Sequence, residues 1–106
     1  MKFIKTYENI NKPKIGDYVI INIDVDDKID DDKFKNFLSN NIGQIRISLS
    51  NIHVFVAYEN VPKNLKKFFK FFDKKYYEIF YTKEISYFSS NKNDIEIQLK
   101  ANKYNL

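Results

Sequence analysis

The sequence predicts a small, mostly β domain of the α+β class, built as an antiparallel barrel with short inserted and C-terminal helices. The chain has 106 residues, which leaves room for one hydrophobic core and not for a second. Several short segments alternate apolar and polar side chains as β-strands do. The helical patterns between them are short and irregular, and this favours antiparallel strands over regular crossover connections.

The domain is expected to cover residues 13–106, after an N-terminal tail or edge strand over residues 1–12. The N-terminal residues lack the apolar stretch of a signal peptide, and the longest apolar run is far shorter than the roughly 18 residues of a spanning helix. We therefore expect a cytoplasmic protein that does not contact membranes.

Alternation of apolar and polar residues marks four strands. These segments are residues 18–25, 45–49, 52–58 and 77–81. Gly16-Asp17 is typical of a turn before the first strand, and Ser50-Asn51 predicts a hairpin between the second and third. Aromatic and β-branched residues, which favour strands, make up most of the fourth.

Helical spacing marks a first helix between the first two strands. Phe34, Phe37 and Leu38 have the i, i+3, i+4 spacing of one helix face. The aspartates before them supply an N-cap and favourable charge for the helix dipole, and Asn40-Asn41 suits its C-terminus.

Three further helices are predicted in the second half of the chain. A helix from Pro62 would place Leu65, Phe68, Phe69, Phe72 and Tyr76 on one face and lysines on another. A turn of helix is expected over residues 82–88. Residues 92–101 carry signals of both a strand and a helix, and we favour the helix.

Charge is concentrated in two blocks of opposite sign, although the net charge is only +4. The acidic block consists of Asp24, Asp26, Asp27, Asp30, Asp31 and Asp32. The basic block is defined as Lys63, Lys66, Lys67, Lys70, Phe71, Lys74 and Lys75. Runs of like charge are commonly solvated surfaces, and partner binding by either block is the functional alternative.

The chain offers little for metal binding or catalysis. A calcium loop needs Gly at its sixth position and Glu at its twelfth, and counting from Asp24 places Ile29 and Lys35 there. Cysteine is absent, and the only histidine, His53, is expected on the outward face of its strand with Phe55, as a surface or interface residue. Serine nucleophile motifs and glycine-rich phosphate loops are missing. We expect no metal, no cofactor and no enzymatic activity.

Three segments carry a resemblance to a known fold. They are Lys14-Ile15-Gly16-Asp17-Tyr18-Val19, Asn41-Ile42-Gly43-Gln44-Ile45 and Val54-Phe55-Val56-Ala57-Tyr58. Together they resemble the first three strands of small SH3-like barrels of the KOW type. The resemblance implies an SH3-like barrel with Gly16 and Gly43 at tight bends. It also implies RNA binding through loops, which are acidic in this chain.

Composition points to the genome that encodes the chain. There are 17 Lys, 15 Ile and 13 Asn but a single Arg, Arg46. Because AT-rich codons encode the three abundant residues, the bias indicates an AT-rich genome. The layout of the chain also looks like that of small proteins of AT-rich tailed phages.

A lone arginine argues against sequence-specific DNA recognition, which relies on the guanidinium group.

These observations favour a non-enzymatic protein-interaction module of phage origin. Its specific form would be an inhibitor of a host defence nuclease that acts by occlusion in the host cytoplasm, with the acidic block imitating nucleic-acid phosphates. The alternatives are a nucleic-acid-binding barrel that uses the basic segment Lys63–Lys75, or a minor component of the virion. The identity of the partner and the oligomeric state stay open.

Overall fold

The computed structural model describes residues 12–23 and 32–104, and its main feature is an antiparallel sheet of six strands. The strands are β1 (Tyr18–Ile21), β2 (Gly43–Ser48), β3 (His53–Tyr58), β4 (Lys70–Phe72), β5 (Lys75–Tyr81) and β6 (Ile85–Ser89). Their order across the sheet is β4-β5-β3-β2-β1-β6. Two α-helices, α1 (Asp32–Asn40) and α2 (Lys92–Tyr104), accompany the sheet, together with 3₁₀ helices at Lys63–Phe68 and Thr82–Glu84. The predicted mostly β class, with inserted and C-terminal helices, is confirmed.

The main core lies on one face of the sheet, which we call the inner face. Helix α1 and the first 3₁₀ helix cover this face with Phe34, Phe37, Leu38, Leu65 and Phe69. Alternate residues of the strands meet them, because successive side chains of a strand point to opposite faces. These strand residues are Val19, Ile21, Ile45, Val54, Val56, Tyr58 and Phe80.

Helix α2 covers part of the opposite face, which we call the outer face. It packs along β1 and β6. Ile20 of β1 points away from the main core and is nonetheless buried, and Ile95 of α2 is buried as well. The helix predicted for residues 92–101 is therefore confirmed, and its apolar contact protects one half of the outer face from water.

The β2–β3 hairpin and α1 agree with the sequence, whereas β1 is shorter than predicted. β1 ends at Ile21, and residues 24 and 25 of the predicted strand lie outside the described residues. In the hairpin a bulge shifts the register at Arg46, since Ile45 pairs with Val56 and Ile47 pairs with Phe55. One extra residue reverses the direction of the side chains that follow it. Ile45 is consequently buried, while Ile47 lies on the outer face.

The helix predicted from Pro62 to Tyr76 is wrong beyond residue 68. The 3₁₀ helix ends at Phe68, and β4 and β5 form a hairpin through Asp73 and Lys74, whose φ angles are 51° and 66°. Two consecutive residues with positive φ form the tight turn that matches strand twist. Aromatic side chains suit the pleated surface of a sheet, and β5 completes its hydrogen bonds by pairing with β3 along its whole length.

The turn of helix predicted over residues 82–88 is only partly correct. Residues Thr82–Glu84 form a 3₁₀ helix, in which the carboxylate of Glu84 accepts a hydrogen bond from the backbone N–H of Tyr81 at 2.9 Å. The chain then continues as β6, which pairs with β1. Alternation over so short a segment could not distinguish a strand from a helix, and pairing with β1 decided it.

Gly43 allows β3 to approach the start of β2 closely. A Cβ atom at this position would lie 2.4 Å from Cγ1 of Val56 and 2.8 Å from Cζ of Tyr58. Gly16 serves a different purpose, because its φ of +96° is strained for other residues although nothing lies within 4 Å of the missing Cβ.

We expect Gly43→Ala to lower the free energy of unfolding by about 1–3 kcal/mol, because the added methyl group overpacks the core. Urea denaturation measures the change. Gly16→Asn is the matched control, since asparagine tolerates positive φ and meets no neighbour, and it should cost less than about 1 kcal/mol. Equal losses in the two variants would contradict the steric explanation.

Tyr58 carries an unusual hydroxyl group in the core. The side chain is buried, and no group of the described residues forms a hydrogen bond with its oxygen. Burial raises the pKa of this hydroxyl far above its ordinary value, so it stays neutral at any physiological pH. The ring packs 5.5 Å from Phe37 and 5.7 Å from Phe69, so its contribution to stability comes from aromatic packing.

Tyr58→Phe should leave the free energy of unfolding unchanged or raise it by up to about 1 kcal/mol, because it removes a buried polar group without a partner. Tyr58→Ala is the contrast and should cost about 3–5 kcal/mol through loss of the ring. Thermal and urea denaturation report both values. A loss above about 1 kcal/mol in Tyr58→Phe would mean that the hydroxyl has a hydrogen-bond partner.

Candidate binding surface

Half of the outer face of the sheet is left uncovered by α2. The register places Ile47 beside Phe55 and Tyr77 beside Lys70, all on this face. Together with Arg46 and Phe72 they surround a shallow concavity of about 410 Å³, which Asp73 also borders. We call this surface the outer patch and define it by Arg46, Ile47, Phe55, Lys70, Phe72 and Tyr77.

The outer patch is apolar in its middle and rigidly built. Tyr77 is buried in its floor, with its ring 6.3 Å from that of Phe55 and 6.4 Å from that of Phe72. Ile47 is 45% exposed and Phe72 is 71% exposed. Because Phe72 is so exposed, folding removes little of its apolar surface from water. Its environment therefore suits contact with another molecule.

The border of the outer patch is cationic. Arg46 lies at the bulge of β2 and Lys70 lies in β4. Neither has an ion-pair partner among residues 12–23 and 32–104. Asp73 is the only acidic residue among those that line the concavity. The guanidinium group of Arg46 presents a planar fork of donors, which suits a carboxylate or phosphate partner.

The structure divides the predicted basic block instead of placing it on one helix face. Its members lie in the first 3₁₀ helix, in β4, in the following turn and at the start of β5. Only Lys70 borders the outer patch. The ammonium groups of Lys66 and Lys67 lie over the rings of Tyr76 and Phe68 at 5.4 and 5.3 Å.

Two other members of the block, Lys75 and Phe71, have local contacts on or near β5. Lys75 donates a 3.0 Å hydrogen bond to Glu59, and this bond with its charge lowers the pKa of the Glu59 carboxyl. Phe71 is 63% exposed and turns away from the outer patch, with its ring 4.8 Å from that of Tyr76. Lys63 and Lys74 are exposed. The six lysines therefore do not lie on one helix face.

Most of the predicted acidic block falls outside the described residues. This holds for Asp24, Asp26, Asp27, Asp30 and Asp31. Asp32 begins α1 and lies in its first turn, where its charge favours the helix dipole. The proposed role of the block in binding stays a prediction.

Sequence reasoning missed most of the outer patch. Phe72 was assigned to a buried helix stripe, and Ile47 was expected on the same face as Ile45. A signal for a hairpin was available between Lys70 and Tyr77. There Asp73-Lys74 lies between two pairs of aromatic residues, as a hairpin turn does between two strands. Phe55 was correctly expected on the outward face.

His53 also lies on the outer face, beside the outer patch. Its ring packs 4.7 Å from that of Tyr81, and Nδ1 lies 3.3 Å from the hydroxyl of Ser50.

Within the described part of the chain, no group of three or more acidic, histidine or cysteine side chains is arranged to hold a metal ion. The outer patch provides apolar contact, aromatic stacking and cationic hydrogen bonds, and these are means of binding.

Comparisons of the chain with protein-family models, curated proteins and solved structures return no match. Among the described residues, none of the helices has the length and apolar character needed to cross a bilayer.

We expect the double variant Ile47→Thr/Phe72→Thr to fold with nearly unchanged stability, within about 1 kcal/mol, because both side chains are exposed and threonine favours strands. Phe69→Thr is the contrast, since Phe69 is buried among Phe34, Phe37 and Tyr58 and its loss should cost about 3 kcal/mol or more. Urea denaturation separates the two. A comparable loss in the double variant would show that the outer patch serves folding.

Proposed function

We propose that the chain is a non-enzymatic protein-interaction module that binds through the outer patch and acts by occluding its partner. The observation that carries this proposal is the exposure of Ile47 and Phe72 on the outer face, with Arg46 and Lys70 beside them around the concavity. An apolar centre within a polar rim is the usual anatomy of a protein interface.

The energies support recognition at this place. Removing one large apolar side chain fully from water contributes about 1.5–3 kcal/mol. Phe72, Ile47 and the exposed parts of Phe55 would therefore supply a useful share of the binding free energy. Aromatic and arginine residues near the centre of an interface commonly contribute most, and the floor formed by Tyr77 needs no rearrangement before binding.

The charge of this surface indicates the chemistry of the partner. Lys and Arg outnumber Asp and Glu among the described residues. The border of the outer patch is positively charged as well, since it carries Arg46 and Lys70 against Asp73. A partner segment that combines acidic and apolar side chains is complementary to it. The acidic block would contact a separate, basic region of the same partner.

The specific form of the proposal is a phage-encoded inhibitor of a host defence nuclease. A nuclease presents a basic groove for its substrate, and the aspartates of the acidic block are suited to enter such a groove as phosphates do. The outer patch would then anchor the inhibitor beside the groove. The composition typical of an AT-rich genome and the small size of the chain support this form.

A second candidate function is binding of single-stranded nucleic acid. It is favoured by the two exposed aromatic residues of β4, Phe71 and Phe72, which lie next to Lys70 and Lys74. Bases stack on exposed aromatic rings while lysines attract the phosphates, without sequence preference. The two rings point to opposite sides of β4, however, so they do not form one platform.

Capture from lysates of the cells that produce the chain tests the first function. The immobilised wild type should retain a partner protein at least about tenfold better than Ile47→Thr/Phe72→Thr, because the variant lacks the apolar anchors. The matched control is Ile52→Thr/Ile97→Thr, in which the altered side chains are 54% and 65% exposed but lie outside the outer patch. Quantitative mass spectrometry identifies the partner, and a nuclease partner should lose activity when the wild-type chain is added.

Equal retention by all three proteins would contradict the proposal.

Titration of a labelled single-stranded oligonucleotide over a salt series tests the second candidate. We expect no saturable binding at a salt concentration of about 0.15 M. Saturable binding that Ile47→Thr/Phe72→Thr abolishes would favour nucleic acid over protein.

A further inference from the structure

Strand β4 forms one edge of the sheet. It pairs with β5 on one side, with Lys70 opposite Tyr77, Phe71 opposite Tyr76 and Phe72 opposite Lys75. In the described part of the chain, no strand pairs with its other side. An unpaired edge strand presents backbone donors and acceptors in the geometry that another strand requires.

The hairpin geometry identifies which backbone groups point outwards. In a hairpin with a two-residue turn, the residues that flank the turn exchange both hydrogen bonds, and these are Phe72 and Lys75. The next residue along the strand points its N–H and C=O the other way. Phe71 therefore directs both groups to the open edge. The N–H of Phe69 is already donated to the carbonyl of Lys66 at 3.0 Å, so the open edge is short.

The side chains of β4 join this edge to the outer patch. Lys70 and Phe72 lie on the outer face and border the concavity, whereas Phe71 extends on the opposite side. Neighbouring strands align their residues across the ladder. An added strand would therefore place its side chains in line with those of β4 on the outer face and on the inner face. Its residues on the outer face would lie beside Lys70 and Phe72, on the side of β4 that faces away from the concavity.

Charge complementarity selects the occupant of the edge. Lys70 begins β4, Asp73 and Lys74 form the turn after its last residue, and Arg46 lies across the concavity, so the cationic groups outnumber the one carboxylate. Two copies of the chain paired at β4 would bring these cationic groups together, which is unfavourable. An extended segment with an acidic residue places opposite charge beside Lys70, and its apolar residues contact exposed rings.

We infer that β4 binds an extended peptide segment of the partner protein as an additional strand, with an acidic residue opposite Lys70 and apolar residues opposite Phe71 and Phe72. This inference rests on the proposed function, because the peptide lies at the border of the outer patch. Backbone hydrogen bonds to Phe71 would provide affinity, and the three side-chain positions would provide specificity.

A displayed library of random peptides about ten residues long supplies the probe. Selection on the wild-type chain should enrich two adjacent apolar residues next to an acidic residue. The amide of Phe71 is the reporter, because its N–H has no hydrogen-bond partner among the described residues and we therefore expect rapid exchange with deuterium in the free protein. Saturation with a selected synthetic peptide should slow this exchange at least about tenfold. The amides of Lys70 and Phe72 are bonded to β5 and should change much less.

The variant Phe71→Pro removes the outward donor, and proline is tolerated on edge strands. It should weaken peptide binding by about tenfold or more, whereas Phe71→Val, which keeps the N–H, should weaken it far less. Should Phe71→Pro fail to fold, the exchange measurement on the wild type still decides. No enriched peptide, or selected peptides that leave the Phe71 amide unprotected, would overturn the inference.

Two further results would assign the edge to another occupant and also overturn the inference. One is a dimer in analytical ultracentrifugation that protects the Phe71 amide, and the other is protection by a single-stranded oligonucleotide alone. The inference and the proposed function can fail independently of each other. If capture of the partner depends on Ile47 and Phe72 but not on the Phe71 amide, the outer patch binds the partner without strand addition.

Discussion

The β4–β5 turn is the constraint on which the outer patch depends. Asp73 and Lys74 both have positive φ, a conformation that costs non-glycine residues about 1–2 kcal/mol each. The surrounding contacts hold them there. Phe71 packs on Tyr76 and Phe72 packs near Tyr77 across the hairpin, while β5 pairs with β3 over six residues. Without this reversal, β4 would not exist and Phe72 would not reach the outer face.

A second irregularity completes the same surface from the other side. The bulge at Arg46 turns Ile47 outwards and leaves Ile45 in the core, so one inserted residue both protects the core and supplies an apolar side chain to the outer patch. The bulge also places the only arginine at the border of the concavity. Helix α2 limits the surface by packing along β1 and β6, and the concavity is lined by residues of β2, β3, β4, β5 and the β4–β5 turn.

The fold shows where the lysines of the basic block lie and what they contact. The basic block does not lie on one helix, because a 3₁₀ helix, two strands and a turn divide it. Lys66, Lys67 and Lys75 engage aromatic rings or Glu59, and Lys70 alone joins the outer patch. Cationic and aromatic groups thus lie together around one concavity, and this combination supports the proposal of a defined partner better than a uniformly basic surface would.

The sequence by itself determined the elements whose signals are local. Alternation over residues 45–49 and 52–58 indicated the hairpin, the spacing of Phe34, Phe37 and Leu38 indicated α1, and capping and charge favoured a helix at residues 92–101. These signals need no distant contact, because each comes from the period of one element. Of the two glycines expected at tight bends, Gly16 has the positive φ of a bend, whereas Gly43 is constrained by the close approach of Val56 and Tyr58, which is a tertiary contact.

Only the tertiary structure decided how residues 62–81 fold and which side chains face outwards. Phe and Lys recur there at spacings that suit a helix as well as a hairpin, and the choice came from the pairing of β5 with β3, which is a contact between residues distant in the chain. The direction of Ile47 depended on a bulge that is defined only against β3. The outer patch combines both features, so the local turn signal at Asp73-Lys74 could not have identified it alone.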